Sequence, residues 1–137
     1  MTTLVQIVGD ALRELNVIPE GVEPDGDQGK HGLRRLNQML EMWTEDGVEL
    51  GHFKQSSTTA DITIPEWAEL GVIMMLAIQL APHYGASISP ELIDSADRAY
   101  GTLLRKSVVE KTQPLNMNHL PVGDGQWGRG RNILTDT

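Results

Sequence analysis

Glu41 and Glu45 stand one helical turn apart, which places two carboxylates on one face, where one could serve as acid and the other as base in a hydrolysis. Paired carboxylates on one helix face are more often solvated charge, so a small hydrolase acting on an acidic or carbohydrate substrate is the alternative reading. Gly123, Gly125 and Gly128 spell G-x-G-x-x-G, but only nine residues follow Gly128. The dinucleotide fingerprint requires a strand before it and a helix after it. Asp25 and Asp27 begin like a calcium loop, yet Lys30 replaces the required glycine and Leu36 the bidentate glutamate. His31, His52, His83 and His119 fall in four separate segments with no i, i+4 pair, and are expected as surface or capping residues. Gly85-Ala86-Ser87-Ile88-Ser89 lacks the last glycine of a nucleophile elbow, and the chain has no cysteine. The expectation is no catalytic residue, no metal and no cofactor. Trp127-Gly128-Arg129-Gly130-Arg131 has the composition of segments that touch single-stranded nucleic acid, but two arginines suit a protein-surface anchor better.

Charge supports that choice. Nineteen acidic against eleven basic residues leave a formal charge of -8, so the molecule repels a phosphate backbone. With 137 residues, 39% of them hydrophobic, the chain predicts one compact domain. No apolar run approaches the roughly 20 residues that span a bilayer, no signal peptide is expected at Met1-Thr2-Thr3, and synthesis in the cytosol follows.

The elements that must carry these residues are helices. Leu4, Ile7, Val8, Ala11, Leu12 and Leu15 repeat at helical spacing, with Thr2 or Thr3 as N-cap and Pro19 and Gly21 closing the segment. An acidic, glycine-rich stretch from Glu20 to Gly32 reads as a loop, after which Leu33, Leu36, Leu40 and Trp43 mark a second helix stopped by Gly47. Residues 51–64 break the period and predict a short β-hairpin or an ordered loop. Pro65 at a first helical position opens a third helix with the face Trp67, Leu70, Met74, Ala77, Ile78 and Ala81, ended by Pro82 and Gly85. Ser89-Pro90-Glu91 caps a fourth, bearing Leu92, Ile93, Ala96, Tyr100, Leu103, Leu104 and Val108. Leu36, Leu40, Trp43, Trp67, Met74 and Tyr100 are the residues expected in the body core or in subunit packing. The Met39/Met42 and Met74/Met75 pairs read as core or interface filler.

Helical period ends near Thr112. The 24 residues from Pro114 to Thr137 would span about 80 Å at roughly 3.3 Å per residue if extended. Leu115, Met117, Leu120, Pro121, Trp127, Arg129, Arg131, Ile133 and Leu134 are spread through them, which suits an arm that orders against a partner. The predicted architecture is therefore all-α, a small bundle of about four helices: residues 1–112 form the body, with a hairpin or loop at 51–64, and 113–137 an extended C-terminal arm.

One ordered series of segments adds a family. Leu12-Arg13-Glu14-Leu15-Asn16-Val17-Ile18 followed by Glu23-Pro24, then Leu36-Asn37-Gln38-Met39-Leu40-Glu41-Met42-Trp43 with Asp46-Gly47, resembles the head-to-tail adaptors of short-tailed bacteriophages. These are also called tail accessory factors or packaged-DNA stabilisation proteins. The resemblance continues through Leu76-Ala77-Ile78-Gln79-Leu80-Ala81-Pro82-His83-Tyr84-Gly85, the alanine-bearing helix Ala96 to Leu104, and Leu120-Pro121-Val122-Gly123-Asp124-Gly125. It implies a structural virion protein, not an enzyme, made in the host cytoplasm and placed at the neck between head and tail. It further implies a dodecameric ring of copies on the portal protein, an arm at Leu115 to Leu134 that grips the portal, and a platform for the next tail or nozzle protein. DNA would pass through the ring without sequence-specific binding, and no membrane is involved. A generic helical interaction module is the remaining alternative.

Overall fold

The computed structural model describes residues 2–111, which form four helices: α1 (Leu4–Glu14), α2 (Gly26–Glu45), α3 (Glu66–Tyr84) and α4 (Pro90–Lys111). No strand occurs among the described residues, so the fold is a small all-α bundle, as the periodicity predicts. α3 is its centre and packs against each of the other three, while α1 also packs on α2. α4 reaches α2 through side chains, with the Trp43 and Tyr100 rings 5.1 Å apart.

α1 buries the predicted stripe, with Leu4, Ile7, Val8, Ala11 and Leu12 all 0% exposed. Thr3 is the N-cap, and its N–H donates to the Gln6 side chain at 2.9 Å. The helix stops earlier than Pro19 and Gly21 suggest. Asn16 takes a left-handed φ of 56°, the Asn16 N–H donates to the Arg13 carbonyl, and the Val17 N–H donates to that of Leu12. Those two bonds satisfy carbonyls that a helix end otherwise leaves open, and asparagine tolerates the left-handed turn at modest cost.

α2 corrects the reading of 20–32 as a loop. Asp25 accepts the Gln28 N–H at 2.8 Å, and Gln28 reciprocally accepts that of Asp25 at 3.2 Å, so the helix begins at Gly26. Gly29 and Gly32 are therefore helical and buried. A methyl group at Gly32 would collide with the Val8 side chain, so glycine there sets how closely α1 and α2 approach. Gly47, at φ 95°, ends the helix as predicted, with the Val48 N–H donating to the Trp43 carbonyl at 2.8 Å.

Residues 51–64 form an ordered loop rather than a hairpin. Its return leg pairs with the chain start through an isolated bridge between Thr3 and Asp61. The N–H groups of Leu4 and Val5, which have no partner inside their own helix, donate to the carbonyls of Ala60 and Thr58 at 3.0 and 2.9 Å. Val48, Leu50, Ile62 and Ile64 are buried and fasten the loop to the core.

α3 departs from its predicted face. Its buried residues are Ala68, Gly71, Val72, Leu76, Ala77, Leu80 and Ala81. Of the predicted stripe, Ala77 and Ala81 are buried and Met74 and Ile78 half-buried, but Leu70 is 59% and Trp67 36% exposed. Pro65 is the N-cap rather than the first helical residue, and Pro82 lies inside the last turn, the stop being Gly85 at φ 62°. α4 begins as predicted, with Ser89 Oγ accepting the Leu92 N–H at 3.1 Å.

Candidate interaction surfaces

The carboxylate pair lies on the outer side of α2, opposite the buried Leu36, Leu40 and Trp43. Glu41 and Glu45 are exposed and line a shallow open groove with Gln38, Met42, Thr44, His52 and Lys54. His52 also lines this groove, and its ring is committed elsewhere. Asn37 Nδ2 donates to the Gln55 carbonyl at 2.9 Å, which orients the amide so that Asn37 Oδ1 accepts from His52 Nε2 at 3.0 Å. His52 Nδ1 is buried without a hydrogen-bond partner in the protein. Burial lowers the pKa of His52 below its ordinary 6.5, with Glu41 pulling the other way. Neutral His52 thus fastens the 51–59 segment to buried Asn37, and neither ring nitrogen is presented to the groove as a base.

Two further histidines meet, although the sequence places them 52 residues apart and suggests no link. His31 of α2 and His83 of α3 stack with ring centroids 3.8 Å apart, and Tyr84 meets both edge-on. Desolvation first, then His83, Arg35 and Arg34, lower the pKa of His31. The pair closes the end of the α2–α3 interface. Among the described residues no cluster of three or more His, Asp or Glu side chains could hold a metal.

The predicted packing residues divide. Leu36, Leu40 and Trp43 are core, while Tyr100 and Met74 are half-buried against it. Burial, then the nearby Asp46, raise the pKa of the Tyr100 phenol, which leaves the hydroxyl neutral beside the Trp43 ring. Trp67 instead forms a surface patch with Leu70, and Lys106 Nζ from α4 lies 4.3 Å from the centre of its ring. Around α4, residues 100 and 106 are about 120° apart at 3.6 residues per turn, so Tyr100 turns to α2 while Lys106 turns to the far side of α3. Two further large apolar side chains, unanticipated from the sequence, are exposed: Met42 of α2 at 56% and Phe53 of the 51–64 loop at 71%. Met39 fills the core as filler should, but Met42, three residues on, does not. The available signal was the chain's single phenylalanine standing in a polar segment.

Leu115, Met117, Leu120, Pro121, Trp127, Arg129, Arg131, Ile133 and Leu134 lie outside the described residues. Among the described residues no helix is long and apolar enough to cross a membrane. No curated protein matches the sequence. A family model does, that of the P22 tail accessory factor, over residues 1–130, which takes in all four helices. With nearly the whole chain matched, and with the described residues forming an all-α bundle, the protein belongs to the P22 tail accessory factor family and is a virion-associated structural component of the phage tail.

Proposed function

We propose that this chain is a head-to-tail adaptor that assembles as a dodecameric ring on the portal, at the neck of a particle whose proteins are made in the host cytoplasm. The ring extends the DNA channel, helps retain the packaged DNA and presents a platform to the next tail or nozzle protein. Residues 1–112 are the ring-forming body and 113–137 the arm that grips the portal. The observation that carries this reading is the family match, which runs through the body and on through most of the arm.

Two physical features support it. A conduit must let DNA slide, and a protein of net charge -8 does not hold phosphates as a basic wall would. An arm with spaced apolar anchors costs ordering entropy on binding, and that cost is offset when many copies of a ring engage together.

Electron microscopy of the protein mixed with portal rings from the same genome tests the reading. A new collar on the narrow end of the portal is expected. Deletion of Pro114 to Thr137 should leave helical circular dichroism and cooperative melting intact while abolishing the collar. A collar formed without those residues would overturn the arm assignment, and no collar with the full chain would overturn the adaptor.

A further inference from the structure

Beside the groove that holds Glu41 and Glu45 runs a second one of opposite charge. Lys30 and Arg34 of α2 and Lys54 of the 51–64 loop line an open space of about 460 Å³, together with Gln38, Gln55 and Ser56. All three cations are exposed. Among the described residues the ion pairs are Arg13–Asp10 and Arg98–Asp94, so none of the three is ion-paired. Three cations against the one carboxylate of Glu41 give this groove a positive lining in a protein of net charge -8. The positive stretch is short. Asp27, three residues before Lys30, and Glu41, seven residues after Arg34, share its side of α2 and stand at its two ends. Asn37, 5% exposed, ties the two walls together by donating from Nδ2 to the Gln55 carbonyl at 2.9 Å. Leu33 is the one apolar lining residue and is 6% exposed, so the groove offers charge, amides and a hydroxyl with almost no apolar surface.

We propose, resting on the reading of this protein as a conduit for packaged DNA, that this groove is the face turned to the DNA and that it contacts phosphates of the duplex backbone. Lys30 and Arg34 lie about 6 Å apart along α2, so both can reach one strand. Lys54 and the Ser56 hydroxyl complete a set of the donor types that bind phosphate oxygens. The lack of apolar surface selects the occupant. A groove for a protein segment offers an apolar or aromatic anchor point beside its charges, whereas a phosphodiester backbone needs only cations and hydrogen-bond donors. No base edge is read, so the contact is independent of sequence. Asp27 and Glu41 limit its strength, because they repel the phosphates on either side of the cations. A few phosphate contacts per copy slow DNA without fixing it, which suits a channel that retains its DNA and later releases it.

Titration of a fluorescent DNA duplex with the full chain at several salt concentrations tests this. Each phosphate contact adds about -0.9 to the slope of log affinity against log salt, so three contacts predict a fall of about 40-fold between about 25 and 100 mM salt. Lys30→Gln combined with Arg34→Gln should weaken binding at the low-salt end and leave only about a fourfold fall. Arg98→Gln combined with Arg105→Gln removes the same charge from α4 and should keep the parental salt dependence. All four side chains are exposed, so both double variants are expected to melt like the parent protein. Equal losses in the two would mean that only overall charge matters, and would overturn the proposal. So would a parent chain that binds no duplex at the lowest salt. Displacement of the duplex by polyglutamate at equal charge would assign the groove to an acidic protein segment instead, and would overturn it too. The collar seen by microscopy is an independent readout. A collar from a chain that binds no DNA removes the groove contact and leaves the adaptor, whereas groove-dependent DNA binding without a collar does the reverse.

Discussion

α1 and α3 lie against each other and both bury long apolar stripes, yet they differ in how the burial is encoded. α1 alternates a continuous apolar stripe with polar residues, so its buried face, Leu4 to Leu12, can be drawn from spacing alone. α3 is apolar on nearly every side, because it sits at the centre of the bundle and touches three partners. Spacing selects the stripe Trp67, Leu70, Met74, Ala77, Ile78 and Ala81, and neighbours cover only its C-terminal half. A helix with one apolar face declares what it buries. A helix apolar all round leaves that to its neighbours, and the part they do not reach becomes surface.

The comparison is tested most strongly by truncating one leucine in each helix. Leu12→Ala, at a fully buried position of α1, should cost about 3 kcal/mol in urea denaturation. Leu70→Ala on α3 should stay within about 0.5 kcal/mol, the range of ordinary surface changes. Equal losses would mean that Leu70 is covered within the single chain. Next in size is Gly32→Ala, where α2 meets α1. Alanine is the better helix former by about 1 kcal/mol, but its methyl group would collide with Val8, so a net loss of about 2 kcal/mol is expected from thermal melts. A gain would show that the α1–α2 approach is not tight at this point.

Acid should weaken the body through its histidines. The unfolded chain protonates His31 and His52 near 6.5, whereas their folded pKa values are lowered, chiefly by desolvation. Below 6.5 the unfolded state therefore holds more protons, and stability falls as pH drops through the folded values. His52→Gln keeps a donor for Asn37 Oδ1 and removes the titration, so its melting temperature should depend less steeply on pH between 7 and 5 than that of the parent protein. Matching slopes would remove His52 from the account. The smallest effect belongs to the exposed end of α3: Lys106→Ala should cost about 0.5 kcal/mol, the value of an exposed cation over an indole.

Much of the fold was legible because its signals are local. Ser89 caps α4 and Gly47 ends α2 as their types suggest, since a cap or a left-handed turn depends on one or two residues. The start of α2 was legible in principle, because Asp25 and Gln28 have capping-box spacing, but the glycines behind them argue for a loop when counted by propensity. The interaction surfaces were far less legible. Met42 and Trp67 have the composition of core residues, and exposure is a property of what lies beside a side chain rather than of the side chain itself.

The amino-acid sequence by itself determined the four helices, the stripe that α1 buries, the negative charge and the family, because helical period, caps, composition and segment order are all written along the chain. Tertiary structure alone decided that residues 51–64 supply the first N–H groups of α1 with acceptors, that Gly32 makes room for Val8, that His31 meets His83, and that Trp67 and Met42 face outward. Each of these joins residues far apart in sequence. Which of them come within van der Waals or hydrogen-bond distance depends on how the helices are stacked, since dispersion and hydrogen bonding act only between groups already brought together.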